Sequence, residues 1–227
     1  MSSLLQQFDA APLLLTLRVA GVATLVALLL GVALGWLFAR TRLPGRGVFE
    51  AVCMLPLVLP PTVLGYGILV LMGRRGPVGG WLREHFDYTV IFHWHGAVIA
   101  SALVALPLVL KGASTAFAGV DRSLEAAART LRQSRWSVFL RVTLPLAWPG
   151  ILAGTLLAFA RAIGEFGASL MVAGSIPNQT QTASMAIYDA VQAGRDDVAL
   201  VLALVISAVS VAILVASNRY LSRHPTA

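Results

Sequence analysis

Five apolar stretches dominate the pattern of hydrophobic and polar positions, covering residues 11–39, 51–72, 89–110, 144–174 and 198–217. A helix of about 20 apolar residues crosses the ~30 Å hydrocarbon core of a bilayer. Lipid offers backbone amides no other hydrogen-bond partners, so such stretches must be helical. The pattern predicts an all-α integral membrane protein, a bundle of five transmembrane helices.

Composition and charge support this class. Hydrophobic residues make up 58% of the 227 and charged residues 12%, whereas soluble domains carry about a quarter charged residues. The net charge of +7 comes from basic residues that cluster at span ends. That distribution is typical of membrane topology and argues against nucleic-acid binding.

The segment at residues 121–143, between the third and fourth apolar stretches, is polar and amphipathic. Asp121 and Ser134 are good N-caps and predict two short helices. We expect the second helix to end at Pro145 and Pro149, where the fourth span opens. The apolar positions at helical spacing are Leu124, Ala127, Ala128 and Leu131 in the first helix, and Trp136, Phe139 and Leu140 in the second. Helices this short must pack on the bundle, lie on the membrane or dock on another protein.

Basic residues also predict the orientation. With the 121–143 loop in the cytoplasm, five spans place the N-terminus outside and the C-terminus inside. Eleven basic residues then lie on the cytoplasmic side, four lie outside and two lie within spans, as the positive-inside rule requires. We expect a short outer segment at 1–11, a membrane domain at 12–217, and a short cytoplasmic tail at 218–227 without an added regulatory domain.

Breaks and small residues mark several spans. Pro60–Pro61 removes two amide donors from the second span, and the break either lines a water-filled pathway or only serves packing. Gly31 with Gly35, and Gly150 with Gly154, form small-xxx-small pairs that allow close helix approach. These pairs act either in a dimer or within the bundle.

Arg161 and Glu165 stand four residues apart inside the fourth span. Intramembrane charges usually face a pathway or a partner. Arg161 is therefore either a weak positive site for an anion, oriented by Glu165, or half of a structural ion pair. Arg18, near the outer end of the first span, can extend its guanidinium to the interface.

Two outer segments carry polar groups. His93 and His95 do not share a helix face, so an aromatic interface belt with Tyr88, Phe92 and Trp94 is favoured over a metal pair. The polar segment 174–197 either receives a soluble partner or simply connects two spans.

The sequence shows no catalytic machinery and no metal-spaced Cys/His set. No Gly-x-x-x-x-Gly-Lys-Ser/Thr phosphate loop occurs, and the one lysine is Lys111. Any ATP that drives this protein must therefore be hydrolysed, and its Mg²⁺ bound, by a different chain.

The polar loop resembles the coupling motif of type I ABC importer permeases, which runs Glu-Ala-Ala, three residues, Gly, nine residues, Ile-x-Leu-Pro. Val142, Leu144 and Pro145 match its end, whereas Arg132 stands at the motif glycine and Glu125 lies one position before the motif glutamate. The glycine's backbone freedom is therefore absent from the turn. The resemblance assigns ATPase coupling to Glu125, Ala126, Ala127, Ala128, Arg129, Leu131, Arg132, Trp136, Leu144 and Pro145.

A more specific resemblance covers nearly the whole chain. The strings LPLVLPPTVLGYGILVLMGRRGPVG at 55–79 and LPLAWPGILAGTLLAFARAIGEFGAS at 144–169 are similar to the permease subunits of molybdate importers. Sulfate, thiosulfate and tungstate permeases are close relatives. The resemblance implies a homodimer in the bacterial inner membrane, two cytoplasmic ATPase subunits, and a periplasmic or surface-tethered oxyanion-binding protein. The translocation-path candidates are Pro60, Pro61, Arg161 and Glu165.

Two other classes stay open at this point. A secondary transporter often shows internal repeats and functional acids in its spans, but Glu165 is the one acid well inside a span. A membrane scaffold would recruit a cytoplasmic protein through the 121–143 loop without transporting anything.

Overall fold

The computed structural model describes residues 9–41 and 44–222. This range leaves out most of the predicted outer segment and the end of the predicted tail. It also leaves out Arg42 and Arg223, which the charge count included. All regular elements of the described residues are helices. In chain order they are α1 Ala11–Arg40, α2 Arg46–Val58, α3 Pro61–Met72, α4 Pro77–Phe86, α5 Trp94–Gly119, α6 Arg122–Thr130, α7 Arg135–Val138, a π-helical turn Phe139–Thr143, α8 Leu144–Ile163, α9 Gly167–Ala173, α10 Ala183–Gln192 and α11 Asp196–Ser222.

The centre of the bundle is formed by α1, α5 and α8. Small residues let these three helices approach closely. A Cβ atom added at Gly31 would lie 2.8 Å from the Val109 Cβ of α5, and one added at Gly154 would lie 2.9 Å from the Leu108 carbonyl oxygen. Both distances are shorter than a van der Waals contact, so only glycine fits. The small-xxx-small pairs are therefore used for packing within this chain.

The remaining helices surround this centre. α3 and α9 pack on each other and on α5, while α11 packs on α8 and α10. Large apolar side chains on the outward faces of α1, α2, α3 and α11 stay exposed. Such faces suit lipid or a partner in the membrane.

The all-α class is confirmed for the described residues, but the second span is not one straight helix. Four helices are long and apolar enough to cross a membrane, and α2 with α3 makes a fifth span only as a pair bent by 113°. The bend lies at Leu59–Pro60. It follows from the two consecutive prolines, which cannot continue the hydrogen-bond ladder of α2.

Other predicted boundaries are also corrected. The third span begins and ends later than 89–110, at Trp94–Gly119, and the fourth stretch breaks after Ile163 and resumes as α9. The helices α4 and α10 were missed because each is short. α4 packs tightly beneath the end of α3: a Cβ at Gly79 would lie within 2.4 Å of backbone atoms of Met72 and Gly73.

Candidate functional site

The polar loop folds as the two predicted capped helices. The Asp121 carboxylate accepts a hydrogen bond from the Ser123 amide at 2.8 Å, which lowers the pKa of that carboxyl. The Ser134 hydroxyl accepts from the Ser137 amide at 3.2 Å and begins α7. The caps satisfy amide donors that the first turn of a helix leaves free.

The second helix does not end at Pro145 or Pro149, so that prediction was wrong. α7, the π-helical turn and α8 form one continuous helix from Arg135 to Ile163. The π turn changes the register of the backbone bonds, because the Leu144 amide donates to the Phe139 carbonyl five residues back. Pro145 directly follows the π turn, so its missing amide falls where the register of the backbone hydrogen bonds changes. The second helix of the loop is therefore continuous with a transmembrane helix.

An apolar surface of this loop stays largely exposed within the described chain. Leu131 and Trp136 are 76% and 74% exposed. Leu124 and Leu140 are also exposed. Of the other predicted coupling residues, Ala126, Ala127, Arg129 and Pro145 are exposed, and Ala128 and Leu144 are half-buried. Exposed large apolar side chains beside a polar rim are typical of a protein docking surface.

Arg132 adopts the conformation that a glycine would normally supply. Its φ is +56°, in the left-handed region, and its amide donates to the Arg129 carbonyl at 3.0 Å. The turn between α6 and α7 thus keeps a left-handed residue at the position of the motif glycine. A side chain there costs roughly 1 kcal/mol or more.

We expect Arg132→Gly to tighten this turn. Relief of the left-handed strain should slow hydrogen exchange of the loop amides by about fivefold, which corresponds to ~1 kcal/mol. Arg132→Ala is the matched control, because it removes the charge but keeps the strain. Equal exchange rates in the two variants would contradict this explanation.

Glu125 faces the bundle. One of its carboxylate oxygens, Oε1, accepts from Arg40 Nη2 and from Thr143 Oγ1, each at 2.6 Å. Arg40 ends α1 and Thr143 lies in the π turn, so this carboxylate joins α6 to two other elements. The Glu125 and Arg40 side chains are only 12% and 13% exposed.

The path candidates lie at a junction between two broken spans. α3 begins at Pro61 and α9 at Gly167, and a Cβ added at Gly167 would lie 2.8 Å from the Pro61 Cβ. Gly65, one turn further along α3, approaches Met171 of α9 equally closely. The α2–α3 break and the α8–α9 break are therefore side by side. Broken helices at membrane depth are characteristic of places where backbone lines a cavity or is covered by protein.

Arg161 and Glu165 hold this junction together from the α8 side. Arg161 Nη2 lies 2.9 Å from Glu165 Oε2, and Glu165 Oε1 accepts from the Ala168 amide at 3.0 Å. The Glu165 side chain is 1% exposed and that of Arg161 35%. The carboxylate thus joins the end of α8 to the first turn of α9. This geometry favours the structural ion pair over a free positive site.

The twenty residues of α8 connect the coupling loop to this junction. At 1.5 Å per residue the helix is about 30 Å long. The structure therefore separates the predicted residues into two groups, one at each end of α8.

The two segments that were predicted to lie outside are more ordered than the sequence indicated. Asp189 Oδ2 of α10 accepts from Ser175 Oγ and Gln181 Nε2, and the Ala183 amide donates to Thr16 Oγ1 of α1 at 2.8 Å. The amphipathic run at 183–192 was the signal that could have revealed α10.

Aromatic rings cluster just before and at the start of α5, and their place in a membrane-interface belt stays a prediction. Arg18 lies over the Trp94 ring at 4.0 Å from its centroid, and the Tyr88 hydroxyl bonds His95 Nδ1 at 2.7 Å. Burial raises the pKa of Tyr88. Within the described residues no group of three or more His, Cys, Asp or Glu could hold a metal ion.

Comparison with known proteins decides the family. The family model described as "Binding-protein-dependent transport system inner membrane component" matches residues 27–226. The chain belongs to this family. It is thus a multi-pass membrane permease, and it shares the fold of an ABC importer permease of solved structure.

Named relatives of this permease come from several bacteria. It is 48% identical to the molybdenum transport system permease protein ModB of Escherichia coli (strain K12), over 79% of this chain and 78% of that protein. It is 45% identical to the putative molybdenum transport system permease protein YvgM of Bacillus subtilis (strain 168), over 83% of each. The sulfate transport system permease protein CysT of E. coli is 35% identical, over 92% of this chain and 75% of CysT.

Solved structures share the fold. A chain of the MetNI methionine ABC transporter in inward-facing conformations matches with a TM-score of 0.71 and 18% identity, over 93% of this chain and 94% of that one. A chain of a bacterial alginate ABC transporter in complex with an alginate-pentasaccharide-bound periplasmic protein matches with a TM-score of 0.73 and 18% identity, over 97% and 81%.

Proposed function

We propose that this permease is the membrane-spanning subunit of an ATP-driven importer that carries molybdate across the cytoplasmic membrane. The observation that carries the proposal is the 48% identity to a named molybdenum transport permease over most of both chains. The exposed apolar surface of the loop, whose second helix is continuous with α8, supports a mechanism in which a separate protein supplies the energy for transport. Membership of this family argues against a secondary transporter and against a membrane scaffold.

ATP is hydrolysed, in this proposal, by two copies of a separate cytoplasmic ATPase that also binds Mg²⁺. Each ATPase docks on the loop of one permease, and two permeases form a homodimer around a shared pathway. A periplasmic or surface-tethered binding protein delivers the oxyanion. The alginate transporter, solved with its periplasmic protein, supports this arrangement by its similar fold.

The orientation follows from the same scheme. The docking loop lies in the cytoplasm, which places the N-terminus outside and the C-terminus inside, with the membrane domain over residues 12–217. The five exposed arginines of the loop region agree with this side of the membrane. They are Arg122, Arg129, Arg132, Arg135 and Arg141.

The substrate has one specific alternative. The sulfate permease CysT is 35% identical across 92% of this chain, so sulfate or thiosulfate is the second candidate, and tungstate is a close chemical analogue of molybdate. The higher identity to the molybdenum permeases favours molybdate. At the membrane junction, Pro60 and Pro61 are exposed at the start of α3, and we assign them to the pathway, with Arg161 and Glu165 supporting it.

Charged substitutions on the apolar surface of the loop test ATPase docking. We expect Leu131→Glu and Trp136→Glu each to weaken association with the ATPase by about 30-fold, since a buried anchor residue contributes ~2 kcal/mol or more to an interface. The measurement is the dissociation constant of detergent-solubilised permease for the purified ATPase encoded beside it.

Val191→Glu is the control. Val191 is similarly exposed, but it lies in α10, on the side that we place outside, and should leave the dissociation constant unchanged. Unchanged binding by both loop variants would refute docking at this surface.

A further inference from the structure

We propose that Glu125 is a positioning residue that links the movement of the coupling helix α6 to the transmembrane helices α1 and α8. It does so through its hydrogen bonds to Arg40 and Thr143 rather than by contact with the ATPase. The inference rests on the proposed function, because it concerns how ATPase movement reaches the membrane.

The attachment of α6 to the bundle is sparse apart from this carboxylate. No residue of α6 is buried. The other side-chain hydrogen bonds of this helix and its caps are local, such as that from Thr130 Oγ1 to the Ala127 carbonyl. The two bonds of Glu125 are the ones that join it to α1 and to the π turn. Apart from the chain connections at the two ends of α6, a force applied to its outer face reaches α1 and the π turn through the hydrogen bonds of Glu125.

The bonds of Glu125 are of the strong kind. Both are short, and that to Arg40 joins opposite charges at 2.6 Å with little exposure to water. Charge-assisted bonds are roughly twice as strong as neutral ones. Arg40 Nε is buried without a hydrogen-bond partner among the described residues, so the guanidinium depends on Glu125. Removing one partner of such a pair leaves an uncompensated charge.

The π turn, which carries the Thr143 partner of Glu125, is also held firmly in the bundle. Thr143 is 2% exposed, and Phe139, one turn earlier, stacks edge-on against Trp36 of α1 at 5.6 Å. Phe139 also contacts Phe117 of α5 and Trp136 of α7. The π turn is therefore clamped by aromatic rings, while α6 is held by a carboxylate. Loss of the carboxylate should free α6 from α1 and α8 while the π turn stays in place.

The test is the ratio of molybdate taken up to ATP hydrolysed, measured in proteoliposomes that hold the permease and its ATPase with the binding protein outside. Arg40→Ala and Glu125→Ala should each keep the ATPase bound and lower this ratio by about tenfold or more, the effect of losing a charged hydrogen bond. The charge exchange Arg40→Glu with Glu125→Arg should recover much of the ratio. Ser123→Ala, an exposed change on the same helix, should not alter it.

Several outcomes would overturn the proposal. They are a wild-type ratio in either single variant, a charge exchange no better than the single variants, or loss of the ATPase from Glu125→Ala, which would assign Glu125 to docking. If the charge-exchange variant does not accumulate in the membrane, Thr143→Val tests the proposal instead. It removes one bond without changing charge, so a lowered ratio supports the link and an unchanged ratio refutes it.

A second readout separates this proposal from the transport function. In the purified permease alone, trypsin should cleave after the exposed Arg129 and Arg132 about fivefold faster in Glu125→Ala and Arg40→Ala, because α6 opens locally more often. Absence of uptake by the wild type would defeat the proposed function and leave this digestion test valid. Normal wild-type uptake with unchanged digestion of the variants would defeat the link.

Discussion

Gly35→Leu is expected to destabilise the packing of the central helices strongly. A Cβ atom at this position would lie 2.8 Å from the Ala113 Cβ and 2.9 Å from the Ser114 backbone nitrogen of α5. Backbone atoms cannot move aside as a flexible side chain can, so α1 and α5 must separate. Overpacking costs about 1–3 kcal/mol per site and more where backbone must shift. In a membrane, close packing of small residues is a main source of helix association.

The measurement is the thermal midpoint of unfolding of the detergent-solubilised protein. Unfolding is monitored by the loss of the monodisperse peak in size-exclusion chromatography. A loss of about 3 kcal/mol would lower the midpoint by on the order of 10 °C for a chain of this size. Gly21→Leu is the matched control in the same helix, because nothing lies within 4 Å of a Cβ added there. Equal midpoints for the two variants would show that α1 and α5 do not pack as described.

Arg161→Met is expected to destabilise the junction of the broken spans more than Glu165→Gln does. The first change leaves the buried Glu165 carboxylate without its countercharge. The second replaces it with a neutral group that can still accept from the Ala168 amide. Breaking a buried ion pair costs 3–5 kcal/mol, and we expect about 2–3 kcal/mol here because a third of the Arg161 side chain is exposed.

A double substitution distinguishes charge from shape. Adding Glu165→Gln to Arg161→Met removes the buried charge and should recover part of the lost stability, which a double-mutant cycle measures directly. Additive losses would mean that the two groups act separately. Uptake by a stable Arg161→Met protein with Glu165→Gln would further show that neither charge is required as an anion site.

Local signals in the sequence were sufficient for several elements. The apolar run of α1 begins at Ala11 and has Pro12 in its first turn, where proline is favoured, and its predicted and observed bounds agree within one residue. Asp121 and Ser134 marked their helices because capping depends on neighbours two or three residues away. The resemblance to the family rested on the sequence strings at 55–79 and 144–169, and the comparisons with known proteins confirm the family.

Features that depend on distant contacts could not be predicted. Pro145 and Pro149 were expected to end a helix. A π turn just before Pro145 instead accommodates the residue that lacks an amide proton, and the helix continues. The resemblance assigned Glu125 to ATPase coupling, but its hydrogen bond to Arg40, 85 residues away, left no local signal. The meeting of Pro61 with Gly167 likewise joins two breaks more than a hundred residues apart, and no periodicity records it.

In the proposed function, this chain carries an oxyanion when a separate ATPase drives it. The most direct test is uptake of labelled molybdate into proteoliposomes that contain this permease and the neighbouring ATPase, with ATP inside and the binding protein outside. The account predicts ATP-dependent uptake that persists in excess unlabelled sulfate. Uptake abolished by sulfate would reassign the substrate to sulfate. No ATP-dependent uptake of either anion, in an assembled complex that hydrolyses ATP, would contradict the account.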